Sequence, residues 1–222
     1  MKFGVIRFPG SCDEVDAVLA CERVPGASAQ ILWHGDADLH GVDAIVVPGG
    51  FSYGDYLRVG AIARFSPVME SVIAFSREGG LVLGICNGFQ VLCEAGLLPG
   101  ALLPNVGLRF LCRQVNVEVV QSRMPFTADM SVGERLSIPV KHTTGRYYAP
   151  AQDLESLDAH GQILLKYAHD GNPNGSSNDI AGVSNEAGNV FGLMPHPEHA
   201  VDPLTGSTDG LKIFLSMAHA HG

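Results

Sequence analysis

Gly84-Ile85-Cys86-Asn87-Gly88 constrains this chain more than any other stretch. It follows an apolar run, Leu81-Val82-Leu83, and precedes a helical pattern from Phe89 to Ala95. A strand that turns abruptly into a helix leaves no room for side chains beside the turn, so glycines flank the residue at its tip. The residue at the tip is Cys86. A thiol at the end of a strand and the start of a helix sits in a positive field that lowers its pKa. Backbone N–H groups there can receive a developing oxyanion. Such an elbow belongs in a sheet covered by helices, and its thiol needs a base.

The neighbouring patterns supply that sheet. Apolar, β-branched runs occur at Phe3–Phe8, Ala29–Trp33, Ala44–Val47 and Leu81–Ile85. Helical patterns lie between them at Asp13–Arg23 and Ala61–Arg77. In the second, Ile62, Phe65, Met69 and Val72 fall on one face. Strands apolar on both faces that alternate with helices predict an α/β fold with a mostly parallel sheet flanked by helices. Sites in such sheets lie beyond the carboxyl ends of the strands, where both Cys86 and Pro48-Gly49-Gly50 fall.

The C-terminal half differs. Gln114–Val120 alternates, with Val115, Val117 and Val119 on one face. Leu136–Val140, Ile163–Tyr167, Ile180–Ser184 and Val190–Met194 are further short strands, and with few helices between them some should pair antiparallel. Residues 172–178 have the composition of a surface loop. A last helix is expected within Ser207–His221, with Leu211, Phe214, Leu215 and Ala218 on one face.

Composition narrows the function classes. The 222 residues are 46% apolar and 17% charged, enough for one large core, and we expect a single domain over 1–222. The net charge of −9 and the lack of any Lys/Arg-rich run argue against nucleic acid and anionic membranes as partners. No apolar stretch reaches about 18 residues, and the N-terminus reads as a strand rather than a signal peptide. Five cysteines without a C-x-x-C pair fit a reducing, cytoplasmic setting. Cys21, Cys93 and Cys112 read as packing.

The base candidate is His196, in Met194-Pro195-His196-Pro197-Glu198, directly after the strand that ends at Met194. A histidine there projects at the same sheet edge as Cys86, and Glu198 can fix its tautomer. The Asn87 N–H and the Gly49-Gly50 backbone are the expected oxyanion donors. Gln90, one turn after Cys86, offers a donor and an acceptor to a carboxamide. Other features carry less. His196 and His199 lack a third ligand at useful spacing, so no metal site is expected. His142 reads as a solvated loop histidine, and Asp55 with Arg58 as a local ion pair. No P-loop lysine motif follows the glycines at 49, 50 and 54, so no nucleotide site is indicated.

Gly-x-Cys-x-Gly-x-Gln, Pro-Gly-Gly and a late His-Pro-Glu resemble the class I, or triad, glutamine amidotransferases. Several segments are similar to a narrower family, the PurQ-type glutaminase subunits of phosphoribosylformylglycinamidine synthase. They are Phe8–Ser11, Pro48–Arg58, Gly84–Gln90, Glu94–Gly100, Asn172–Ser176, Asn178–Gly182 and Gly206–Gly210. The resemblance spans essentially the whole chain and implies the flavodoxin-like fold of class I amidotransferases. It implies glutamine as substrate, Cys86, His196 and Glu198 as catalytic residues, and Gly49, Gly50, Asn87 and Gln90 as binding residues. It implies no cofactor in this chain. ATP and Mg belong to a large synthetase subunit, which takes the ammonia to amidate formylglycinamide ribonucleotide in purine synthesis, and a small third subunit completes the complex. Rival readings are another elbow-cysteine hydrolase of this fold and a catalytically silent regulatory subunit. The chain departs from the family in a shorter Ser11-Cys12-Asp13 loop, in His142-Thr143-Thr144-Gly145, in His199 and in the segment 124–134.

Overall fold

Ala44–Val47 and Leu81–Ile85 carry apolar side chains or glycine at every position, so neither face of these strands tolerates water. In the computed structural model, which describes residues 1–169 and 171–221, both are buried throughout. They are neighbours at the centre of the sheet.

The chain runs β1 (Lys2–Arg7), α1 (Glu14–Glu22), β2 (Ser28–Trp33), β3 (Ala44–Val47), α2 (Pro67–Arg77), β4 (Leu81–Ile85) and α3 (Asn87–Glu94). It continues with β5 (Ala101–Pro104), β6 (Leu111–Val119), β7 (Arg135–His142), β8 (Thr144–Tyr148), α4 (Ala151–Ala159) and β9 (Ile163–Tyr167). β10 (Ile180–Ser184), β11 (Val190–Leu193) and α5 (Leu211–His221) complete it. Nine strands form one sheet in the order β2-β1-β3-β4-β11-β10-β9-β6-β7. The first five are parallel, and each later neighbour pairs antiparallel. β5 and β8 form a separate antiparallel ribbon.

This is the α/β architecture that the patterns predict, antiparallel additions included. Among the described residues, no helix is long and apolar enough to cross a membrane. The alternation in β6 is also as expected: Val115, Val117 and Val119 are buried.

Local departures have local causes. The pattern at 61–77 predicts one helix, but α2 begins at Pro67 after a short turn at Ala63–Phe65. Ser66 is extended (φ −65°, ψ 142°), as a residue before proline prefers. Phe65 is thereby exposed instead of sharing the buried face with Met69 and Val72. The last helix starts at Leu211, and its most buried apolar residues are Ile213, Phe214 and Met217. Cys112 is exposed rather than packed. The 172–178 segment is a loop, yet Asn174 and Ser176 are buried. Asn174 Nδ2 donates to the Gly145 carbonyl (2.8 Å), and the Tyr147 N–H donates to Ser176 Oγ (3.0 Å). Sequence periodicity does not find β5, β8 or α4. The two strands are short, and only Leu157 of α4 is buried.

Candidate active site

Parallel pairing of β4 and β11 brings the two halves of the site together. Leu193 lies opposite Ile85, and the Cys86 N–H donates to the Leu193 carbonyl (2.8 Å). The residues just past each strand therefore meet at one edge. Cys86 stands at the tip with φ 51° and ψ −103°, a left-handed conformation that side chains seldom adopt. The elbow glycines are contact requirements. A Cβ on Gly88 would lie 1.8 Å from the Val47 carbonyl oxygen, and one on Gly84 would lie 2.9 Å from the Gly88 backbone.

His196 and Glu198 occupy the turn after β11, and both are buried. His196 Nδ1 lies 2.5 Å from Glu198 Oε1. The imidazole's backbone is pinned as well, since its N–H donates to the Pro139 carbonyl (2.8 Å). β7, last in the sheet order, thus reaches back over the site. Burial alone would lower the His196 pKa, but the Glu198 carboxylate and the Cys86 charge overrule it and push it up to about 10. Cys86 Sγ donates to the Lys141 carbonyl (3.9 Å), and His196 Nε2 is buried without a geometric hydrogen-bond partner among the described residues.

The other sequence candidates divide. Gly50, Cys86, Gln90 and His196 line one cleft, together with Asp55, Lys141 and His142. Phe51 and Phe110 form part of its wall. Asn87 heads α3, where first-turn N–H groups have no intrahelical acceptor. Its side chain is a junction: Oδ1 accepts from the Ser52 N–H (3.0 Å), and Nδ2 donates to Gln90 Oε1 (2.9 Å) and Asp55 Oδ1 (3.3 Å). Gln90 Nε2 also donates to the Thr144 carbonyl (2.5 Å), so its amide braces the elbow against β8. Gly49 supplies clearance. Its carbonyl accepts from the Cys12 and Asp13 N–H groups, and its Cα faces Asp13 and His196.

Two expectations are overturned. His142 is buried, with Nδ1 3.0 Å from Asn105 Oδ1. Burial, and then the charge on His196, press its pKa down to about 4. Arg58 pairs with Glu94 of α3 (two contacts of 2.6 Å), not with Asp55. Asp55 is half-buried with no cation partner among the described residues, and burial pushes its carboxyl up to about 6 against the Asn87 hydrogen bond.

Asp13 and Lys141 are the residues that sequence reasoning misses. Asp13 is buried and ion-paired to Lys141 Nζ, with Oδ1 3.3 Å from His199 Nε2. Burial opposes its ionisation. The His199 hydrogen bond, the His196 charge and Lys141 nonetheless hold its carboxyl below the usual carboxylate range. Asp13, His196, Glu198 and His199 place their ligand atoms within 4.8 Å of one another, so the histidine pair does acquire neighbours able to bind a cation. The Lys141 ammonium already supplies a positive charge there.

The CobB/CobQ-like glutamine amidotransferase domain profile matches residues 1–212. The chain is 58% identical over 217 residues to the phosphoribosylformylglycinamidine synthase subunit PurQ of Rubrobacter xylanophilus, covering 98% of this chain and 97% of that one. This chain belongs to the PurQ family of glutamine amidotransferases. Against the PurQ of Mycobacterium tuberculosis, identity is 56% over 220 residues, covering 99% and 97%. Among solved structures, a chain of PurLQS from Thermotoga maritima superposes with a TM-score of 0.91 at 41% identity, covering 100% of this chain and 99% of that one. A glutamine amidotransferase of the same organism, 16% identical with a TM-score of 0.62, shares the fold.

Proposed function

We infer that this chain hydrolyses glutamine to glutamate and passes the ammonia to a synthetase partner for ATP-dependent amidation of formylglycinamide ribonucleotide. The observation that carries this reading is the meeting of Cys86 and His196 in one cleft of a PurQ-family fold, with buried Glu198 held against the imidazole. The Cys86 thiol gives its proton to His196, and Sγ attacks the substrate carboxamide carbon. The oxyanion that forms is received by the Asn87 N–H and by backbone at Gly50. His196 gives its proton to the departing nitrogen, the C–N bond breaks, and a γ-glutamyl thioester remains. Water, deprotonated by the same imidazole, opens the thioester; glutamate leaves, and the expelled sulfur takes the proton back from the imidazolium to restore Cys86. Glu198 holds the ring through Nδ1 and stabilises the imidazolium. ATP and Mg act in the partner, and this chain needs no cofactor of its own. Its five free cysteines support a cytoplasmic setting.

The partner docks beside the cleft. Phe51, Tyr56 and Leu57 are exposed on one segment, and Phe110 is exposed on the cleft wall. Tyr53, Asp55 and Leu57 in that segment have positive φ, a strained state that a contact can reset. The segment touches the elbow through Asn87, so docking on it reaches Gly50 and Gln90. The test is Cys86→Ser in the assembled synthase. Glutamine-dependent synthesis should vanish while ammonia-dependent synthesis persists. Near-normal glutamine turnover in that variant would remove the thiol from the reaction.

A further inference from the structure

Asp13 has a buried carboxylate that the glutaminase reading leaves unused. It stands at the N-cap of α1, where an aspartate ordinarily accepts a hydrogen bond from the first helical turn. Here it makes no capping hydrogen bond. Its carboxylate, 3% exposed, turns instead toward the site. Oδ2 lies 3.6 Å from His196 Nδ1, the atom that Glu198 Oε1 holds at 2.5 Å. Oδ1 is ion-paired to Lys141 and lies 3.3 Å from His199 Nε2. The missing side chain at Gly49 makes the approach possible: a Cβ there would lie 2.3 Å from Asp13 Oδ2 and 2.7 Å from His196 Cε1.

Two buried carboxylates beside one imidazole repel each other, and burial makes each charge costly unless it is paired. The arrangement is sustained by one cation and a neighbouring imidazole. Lys141 sits on Asp13, and His199 lies between the carboxylates, 3.6 Å from Glu198 Oε1. We propose that Asp13 is a second positioning carboxylate for His196, holding the Nδ1 edge of the ring together with Glu198 but from a distant segment of the chain. Glu198 takes the direct hydrogen bond. Asp13 limits ring rotation and adds negative charge that favours the imidazolium, the form that protonates the leaving ammonia. It also leaves an acceptor beside Nδ1 when Glu198 is lost. The titratable and charged groups facing His196 are Cys86 from the elbow, Glu198 and His199 from its own turn, Lys141 and His142 from β7, and Asp13 from the start of α1.

The proposal rests on the glutaminase reading, so its test includes a measurement that does not need turnover. Histidine 15N NMR of the chain, with the His196 signals assigned by their loss in His196→Gln, should show the ring titrating at lower pH in Asp13→Asn. Asp13→Ser removes the same charge with a smaller side chain and should shift the titration in the same direction. In the assembled synthase, Asp13→Asn should lower glutamine-dependent kcat about tenfold with KM within about twofold, and move the alkaline limb of kcat/KM to lower pH. Glu198→Gln should cost at least about tenfold more in the Asp13→Asn background than in the native one. An unchanged His196 titration, with an unchanged Glu198→Gln penalty, assigns Asp13 to anchoring Lys141 alone and overturns the proposal. Retained turnover in Cys86→Ser would sink the glutaminase reading and leave the NMR result standing.

Discussion

Gly49→Ala puts one methyl group at the most crowded point of the site. The new Cβ would lie 2.3 Å from Asp13 Oδ2 and 2.7 Å from His196 Cε1. Relaxed heavy-atom contacts need about 3.5 Å, so the overlaps are about 1.2 Å and about 0.8 Å. Backbone strain adds nothing, because Gly49 is not among the glycines with positive φ. The penalty is contact alone, and the two neighbours are tethered. Asp13 is held by Lys141 and His199, and His196 by Glu198 and the Pro139 carbonyl. Overpacking of this kind costs about 1–3 kcal/mol. A shift of the imidazole by about 1 Å costs about 100-fold in rate. Urea denaturation of the subunit should therefore show a loss in that range, and glutamine-dependent kcat/KM of the assembled synthase should fall about 100-fold. Gly107→Ala is the control, since nothing lies within 4 Å of its added Cβ and its φ is not positive. If Gly49→Ala keeps kcat/KM within about threefold of the native value, the triangle of Asp13, Gly49 and His196 is looser than the distances imply and the argument fails.

Three further outcomes are expected. His142, neutral when folded down to about pH 4 against an ordinary 6.5, has its pKa depressed by folding. The unfolded chain takes up the proton first as pH falls, so this contribution is complete above pH 6.5 and is lost toward pH 4. At about 1.36 kcal/mol per pKa unit it amounts to roughly 3 kcal/mol. The stability gap between the native chain and His142→Gln, followed by urea denaturation, should narrow by that order from pH 7.5 to 4, and parallel curves would refute it. His196→Ala should lose about 100-fold more glutamine-dependent activity than Glu198→Ala, because one residue moves protons and the other only aligns it; equal losses in steady-state assays would contradict this ordering. Glutamine turnover by the subunit alone should rise at least about tenfold on assembly with its synthetase partners and their substrates, and a flat response would reject the link between the strained 51–58 segment and the elbow.

Local chemistry explains what was legible from the residues. Ala44–Val47 and Leu81–Ile85 could only be central strands, because nothing in them tolerates solvent. Gly84 and Gly88 announced the turn at Cys86, since any side chain there meets backbone. The helix pattern at 61–77 misled because apolar spacing does not register the conformational veto that Pro67 places on Ser66. His142 reads as a solvated residue from sequence because its tract, Lys141–Gly145, is polar. Only the approach of Asn105 and the return of β7 over the sheet bury it.

The α/β layering, the elbow at Cys86 and the adjacent His196 and Glu198 after β11 are legible in the residues alone. Each of these is written within a few consecutive residues, as periodicity, glycine placement or a short motif. The surroundings of His196, by contrast, come from the packing of distant segments. Asp13 lies 183 positions before that histidine in the chain and Lys141 lies 55 before it, and no local pattern relates them. Strand register and the fold of β7 back across the sheet edge bring them into ionic contact, and electrostatics acts on distance in space.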